Sequence, residues 1–282
     1  MNLKNIALKA VGQYLNLHAH IRPRQAAAMG LNLFCRPFAK KLKPHQKQYL
    51  KEAKFSELEF AQTKIQTYKW GNGPKSVLLV HGWASNSYRW RTYIDALVKL
   101  NYTVYAFDAP GHGLSHGHYL TLPKYSAVIE QFTSQIGGID AIIGHSFGGY
   151  AILYWLYAFK PSTNAKAVIM AAPGEVSDFM DHGMKQLNLS PKIQQHLHLE
   201  FKHRAGKTPQ DFSSPLLAMD LIQPALIVHD RNDQDTQYQY SEKLHKAWKG
   251  SQLLLTDGLG HSLKSNEVLH TILAFLASNT DK

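Results

Sequence analysis

Cysteine is nearly absent. Cys35 stands alone in 282 residues, which excludes an intramolecular disulfide, and no paired Cys/His spacing of a structural zinc site occurs. Acidic residues are missing from the first 54 positions apart from Glu52, while 11 Lys and Arg stand there, so this stretch carries +10 of the net +11. The basic balance belongs to a leader and not to the whole chain, which weakens the case for a nucleic-acid partner. No run approaches the roughly 18 apolar residues of a membrane span. The opening residues are interrupted by Lys9, Gln13 and Asn16, where a secretory signal keeps a continuous apolar stretch. These absences point to a soluble, cytoplasmic chain. Phosphate-cradling patterns are also missing, with no Walker-type glycine loop and no G-x-G-x-x-G between strand and helix, so no cofactor is expected. His112, His116 and His118, and separately His196, His198 and His203, match no metal-binding motif, and no metal is expected.

What is present begins with the leader. Ile6, Ala7, Ala10, Val11, Tyr14 and Leu15 recur at helical spacing, with Lys4 and Lys9 elsewhere on the turn. Two readings follow: these helices pack on the body and turn their lysines to water, or they touch an anionic membrane surface. From Ser56 the texture changes. Glu57–Phe60 and Lys64–Tyr68 alternate polar and apolar residues, as an antiparallel pair does. Continuous apolar runs follow at Val77–Val80, Val104–Phe107, Ala141–Ile143, Ala167–Met170, Ala225–Val228 and Leu253–Leu255. Helical patterns lie between them and a last one spans Val268–Leu276. This alternation predicts an α/β fold, a mostly parallel twisted sheet with helices on both faces. The interval 174–223 breaks the rhythm, containing helical patterns but no strand, and reads as a helical cap over the strands' carboxyl ends. The organisation expected is a basic helical extension over 1–55, a core over 56–173 and 224–282, and a cap over 174–223.

The chemistry centres on Gly144-His145-Ser146-Phe147-Gly148, which follows a short apolar strand and precedes a helical run from Tyr150. That context makes G-x-S-x-G a nucleophile elbow, with Ser146 Oγ presented at the sheet's edge. A serine hydroxyl is a poor nucleophile until a base takes its proton and a third group orients the base. The loop after Ala225–Val228 offers Asp230, Asp233 and Asp235. Asp233 is preferred as the acid, Asp230 at the strand end suiting a turn-capping role and Asp235 lying further along. His261, between Gly260 and Ser262, is the candidate base. An acyl-transfer site also needs amide donors for the developing oxyanion, worth about 3–4 kcal/mol each; Phe147 and Trp83 supply the candidates.

Taken together, Leu79–Trp83, Phe107–Ser115, Gly144–Gly149, His229–Asp233 and Gly260-His261 resemble the signatures of bacterial α/β-hydrolase esterases over residues 56–278. The resemblance implies that Asp108 and His112 shape the rim beside the nucleophile. Family members with dehalogenase or epoxide hydrolase activity carry an aspartate where this chain has Ser146. The expected function is carboxylesterase-type hydrolysis through an acyl-enzyme; thioesterase, lysophospholipase or carbon–carbon hydrolase activity uses the same triad, and a non-catalytic binding protein is the alternative from another class. The substrate pocket expected combines Trp83, His145 and Phe147 with Phe179, Met180, Met184 and Leu187 of the cap, a mainly apolar lining for an uncharged acyl group. The partner expected is thus a small-molecule ester, with no nucleic acid, and the chain a monomer or dimer.

Overall fold

Strands with apolar residues at every position are covered on both faces. In the strand Lys75–Val80, Val77 and Leu79 belong to one buried core, Leu78 and Val80 to another. The same division recurs at Ile142 and Ile143, and at Val168 and Ile169.

A computed structural model describes residues 3–38 and 41–278, with side chains from Ile6 onward, so the leader's Lys4 lies outside the described side chains. In chain order the elements are α1 (Leu3–Ile21), α2 (Pro23–Phe34), α3 (Pro44–Leu50), β1 (Lys54–Phe60), β2 (Thr63–Trp70), β3 (Lys75–Val80), α4 (Arg91–Lys99), β4 (Tyr102–Phe107), α5 (Leu122–Gln135), β5 (Ala141–His145), α6 (Phe147–Phe159) and β6 (Lys166–Met170). There follow α7 (Val176–Gln186), α8 (Pro191–Ala205), α9 (Ser214–Ala218), β7 (Ala225–Asp230), α10 (Gln239–Ala247), β8 (Ser251–Thr256) and α11 (Asn266–Ala277). The eight strands form one sheet in the order β1-β2-β4-β3-β5-β6-β7-β8. β1 and β2 are the antiparallel pair foreseen from their alternation, β2 also runs antiparallel to β4, and the remaining ladders are parallel. This is the α/β-hydrolase fold. No helix among the described residues is long and apolar enough to cross a membrane.

Helices α5 and α6 pack on one face of the sheet, α4 and α11 on the other. A third core lies outside both. There the leader's Leu15, Ala19, Ala26, Ala27 and Leu31 are buried with Met180, Met184, Leu187, Ile193 and Leu197 of α7, α8 and the turn between them. Asn16 latches this contact, its amide donating to the Asn188 carbonyl (3.0 Å) and its oxygen accepting from the Ser190 amide (2.8 Å). Of the three helices between β6 and β7, then, α7 and α8 are roofed by two more from the leader, while α9 packs on α6 and α10.

Candidate active site

β5 ends at His145, α6 starts at Phe147, and Ser146 between them has φ 55° and ψ −126°. Such a conformation costs a non-glycine residue about 1–3 kcal/mol, and the surroundings hold it: the Ser146 amide donates to the Met170 carbonyl (2.8 Å) and its carbonyl accepts from the Tyr150 amide (3.1 Å). Two glycines let the chain close around it. A Cβ on Gly148 would lie 2.3 Å from the Val80 carbonyl oxygen, and one on Gly82 would lie 2.9 Å from Ser146 Cβ. The loop after β3 therefore runs directly beside the nucleophile's side chain. Its Trp83 ring meets Phe147 edge to face at 5.4 Å. The Trp83 amide has no hydrogen-bond acceptor among the described residues. The Phe147 amide, first in α6, has none within the helix. Two donors are thus left open beside Ser146.

Three buried polar side chains brace this corner. His81 donates from Nδ1 to the Gly82 carbonyl (2.8 Å) and accepts at Nε2 from the Ala109 amide (2.9 Å). His112 repeats the arrangement, Nδ1 to the Pro110 carbonyl (3.0 Å) and Nε2 from the Ala84 amide (3.1 Å). An amide can donate only to an unprotonated ring nitrogen, which fixes both tautomers. Burial keeps both rings neutral, lowering His81 to about 4 and His112 to about 3. Both ring nitrogens of His112 are thereby committed to the backbone. The third brace, Asp108, accepts from the Ser87 amide and hydroxyl (2.8 Å each), the Tyr68 hydroxyl (2.9 Å) and the Leu114 amide (2.9 Å). Burial raises its pKa against the opposing pull of those hydrogen bonds. Asp108 and His112 are supports here.

Across the sheet, Asp233 Oδ2 lies 2.8 Å from His261 Nδ1, and its side chain is fully buried while that of His261 is 23% exposed. Asp230 does different work: its carboxylate accepts from the Thr256 hydroxyl (2.7 Å) and the Leu259 amide (2.9 Å), tying the loop that carries His261 to the end of β7. Asp235 is exposed. Asp233 has further partners that sequence reasoning did not single out. Oδ1 accepts from the Asp235 and Thr236 amides (2.8 and 3.0 Å), and Oδ2 accepts from the Thr236 hydroxyl (2.8 Å) and faces His229 Nε2 at 3.2 Å. Burial pushes the Asp233 pKa up, but hydrogen bonds from His229, His261 and Thr236 outweigh it and hold the carboxyl below the usual range. The signal for His229 was a histidine directly after the apolar run Ala225–Val228, inside β7, where a buried ring must find partners. No hydrogen bond joins Ser146 Oγ to His261 among the described residues; such bonds are often long until substrate binds. What joins their neighbourhoods is His145, whose Nε2 donates to the His261 carbonyl at 2.7 Å.

A cavity of about 470 Å³ opens beside Phe147, the residue after Ser146; neither Ser146 nor His261 is on its wall. Trp83, Phe147 and Tyr150 line it from the body, and Phe179, Met180 and Phe201 from the cap. Three residues expected in this lining lie elsewhere. His145 is buried beneath the His261 loop, and Met184 and Leu187 face the leader in the third core; none of the three lines the cavity. Their place is taken by Leu31, Phe34 and Cys35 of the leader, whose helical periodicity could not reveal which element it would cover. Burial pushes the Cys35 thiol up, so it offers the cavity an inert apolar surface. Arg204, also on the wall, is held by Glu200 and Asn32 (2.6 Å each).

Comparison with known proteins bears on the fold and the family. Over 90 residues the chain is 33% identical to the dihydrolipoyllysine-residue acetyltransferase component of an acetoin cleaving system from Cupriavidus necator, covering 30% of this chain and 24% of that protein. Over 109 residues it is 29% identical to a bifunctional esterase/perhydrolase of Acinetobacter calcoaceticus, covering 36% and 39%. The chain thus spans well under half the length of these curated relatives. Among solved structures, an esterase from Exiguobacterium antarcticum superposes with a TM-score of 0.61 at 17% identity, over 79% of this chain and 99% of that one, a likeness of fold. The model of the alpha/beta hydrolase family matches residues 77–263, a span from β3 to the loop bearing His261, and the chain belongs to that family.

Proposed function

We propose that the protein is a serine hydrolase cleaving carboxylic esters with an uncharged, apolar acyl group. What supports this most is the convergence at one sheet edge of a strained Ser146, the Asp233–His261 pair and two open amides. In this reading Ser146 Oγ attacks the ester carbonyl while His261 Nε2 takes its proton. Asp233, ionised and fully buried, holds the Nδ1–H and stabilises the imidazolium that forms. The amides of Trp83 and Phe147 receive the oxyanion, each contributing about 3–4 kcal/mol to the transition state. His261 returns the proton to the departing alkoxide, and water then cleaves the acyl-enzyme by the same route in reverse. The acyl group occupies the cavity between body, cap and leader.

A fluorophosphonate probe read by intact mass, beside p-nitrophenyl ester turnover, tests this. One adduct and turnover in the wild type, both lost in Ser146→Ala, are the expected results. A folded wild type that takes no adduct and turns over no ester would overturn the proposal in favour of a ligand-binding role for the cavity.

A further inference from the structure

Helix α1 is apolar on two opposite faces, and this chain covers one of them. The inner face carries Leu15 and Ala19, buried against the cap. On the outer face Ile6, Ala10, Tyr14, Leu17 and Ile21 follow at i, i+4, i+8, i+11 and i+15, the spacing of a single helical stripe. All five are exposed, Leu17 at 68% and Ile21 at 77%. A helix with two apolar faces ordinarily buries both. The same leader carries Lys9, Arg22, Arg24, Arg36, Lys41 and Lys43, all exposed. None of them forms a salt bridge with an acid among the described residues.

We propose that this outer face docks α1 flat on an anionic lipid bilayer. The stripe would enter the boundary between headgroups and acyl chains, to a depth of about 5–10 Å, and the cations would lie against lipid phosphates. Charge separates this occupant from the nearest rival, a second copy of the chain. Residues 1–54 carry +10 with Glu52 as their one acid, whereas the remaining residues carry +1. Two leaders face to face would set +10 against +10, while a bilayer of anionic lipid supplies the opposite sign. The docking stands whatever reaction the cavity serves. It also has a consequence for access: α2, the other half of the leader hairpin, contributes Leu31 and Phe34 to the cavity, so the cavity's wall would lie one helix from the membrane.

The test is co-sedimentation of the full chain with vesicles of phosphatidylcholine alone and of phosphatidylcholine mixed equally with phosphatidylglycerol. The comparison variant is Leu17→Asp/Ile21→Asp, whose positions are exposed and outside the candidate active site. Wild type is expected to pellet with the mixed vesicles, to be released by high salt and to bind phosphatidylcholine weakly. The variant, with an unchanged unfolding midpoint and unchanged turnover of a short soluble ester, should bind the mixed vesicles at least about tenfold more weakly. A folded wild type that fails to pellet, or a variant that pellets equally, would overturn the proposal. So would a wild-type dimer in sedimentation velocity that the variant makes monomeric, since the stripe would then be a self-association surface.

Discussion

The corner around Ser146 and the roof above it are both buried, yet they are held by different forces. The corner is a lattice of directed bonds: Asp108 accepts from four donors, His81 and His112 each use both ring nitrogens, and Asp233 faces His229, His261 and Thr236. The roof is leucine, alanine and methionine packed by shape. Directed bonds fix positions to fractions of an ångström, as chemistry requires. Apolar packing tolerates changes of shape and so is suited to deciding what fits. Under the proposed function, reaction and selectivity fall to separate physical devices.

That division can be broken at several points. Asp233→Asn should leave the fold intact but disturb the tautomer and orientation of His261, lowering kcat roughly 10⁴-fold; ester turnover in a variant of unchanged circular dichroism checks it. Met184→Ala, in the roof core and off the cavity, should cost about 2–5 kcal/mol of stability with the acyl-length profile preserved. Denaturant titration and a p-nitrophenyl ester series measure the two sides. His229→Asn should lower kcat by about 10–100-fold with KM unchanged, the value of one hydrogen bond to a charged group. Steady-state kinetics decide that. Phe34→Ala, on the cavity wall, should shift the preferred acyl length upward by at most about tenfold in kcat/KM per added methylene, with the chemistry intact. Last, the neutral histidines tie stability to pH. His81 and His112 have pKa values of about 4 and 3 in the fold against 6.5 ordinarily, so below pH 6.5 the unfolded chain binds protons that the folded chain refuses. Their stabilisation is present above pH 6.5 and lost as pH falls through about 4 for His81 and about 3 for His112. The unfolding midpoint should drop over that window, and His112→Asn should flatten the drop.

Sequence legibility follows the same division. Strands were readable because two-sided burial leaves a continuous apolar signature, as at Val77–Val80 and Ala225–Val228. Ser146 was readable because an elbow needs its glycines in fixed places. Asp233 could be preferred over Asp230 and Asp235, but only geometry separates a carboxylate on His261 from one that ties the β8 loop. The roof was least legible. Met180 and Met184 sit one helical turn apart on α7, and nothing in their chemistry says that both join the leader's core while only Met180 also lines the cavity. Helical periodicity tells that a face is apolar, not what covers it. For α1 it left packing on the body and contact with a membrane as alternatives, while the structure shows a helix apolar on both faces and covered on one.

The Asn16 latch has a consequence for how the chain is made. Its partners, Asn188 and Ser190, lie 172 and 174 positions further on. During synthesis at about 5–20 residues per second, the leader leaves the ribosome well before its docking site exists. For that interval Leu15, Ala19 and Leu31 lack the α7 and α8 side chains that bury them, and a contact of such long range closes slowly. Helices made well before α7 and α8 are thus among the last to settle, and the cavity acquires its third wall only when they do. A nascent chain arrested before residue 188 should bind hydrophobic-surface holdases through its leader, and one extended past α8 should release them.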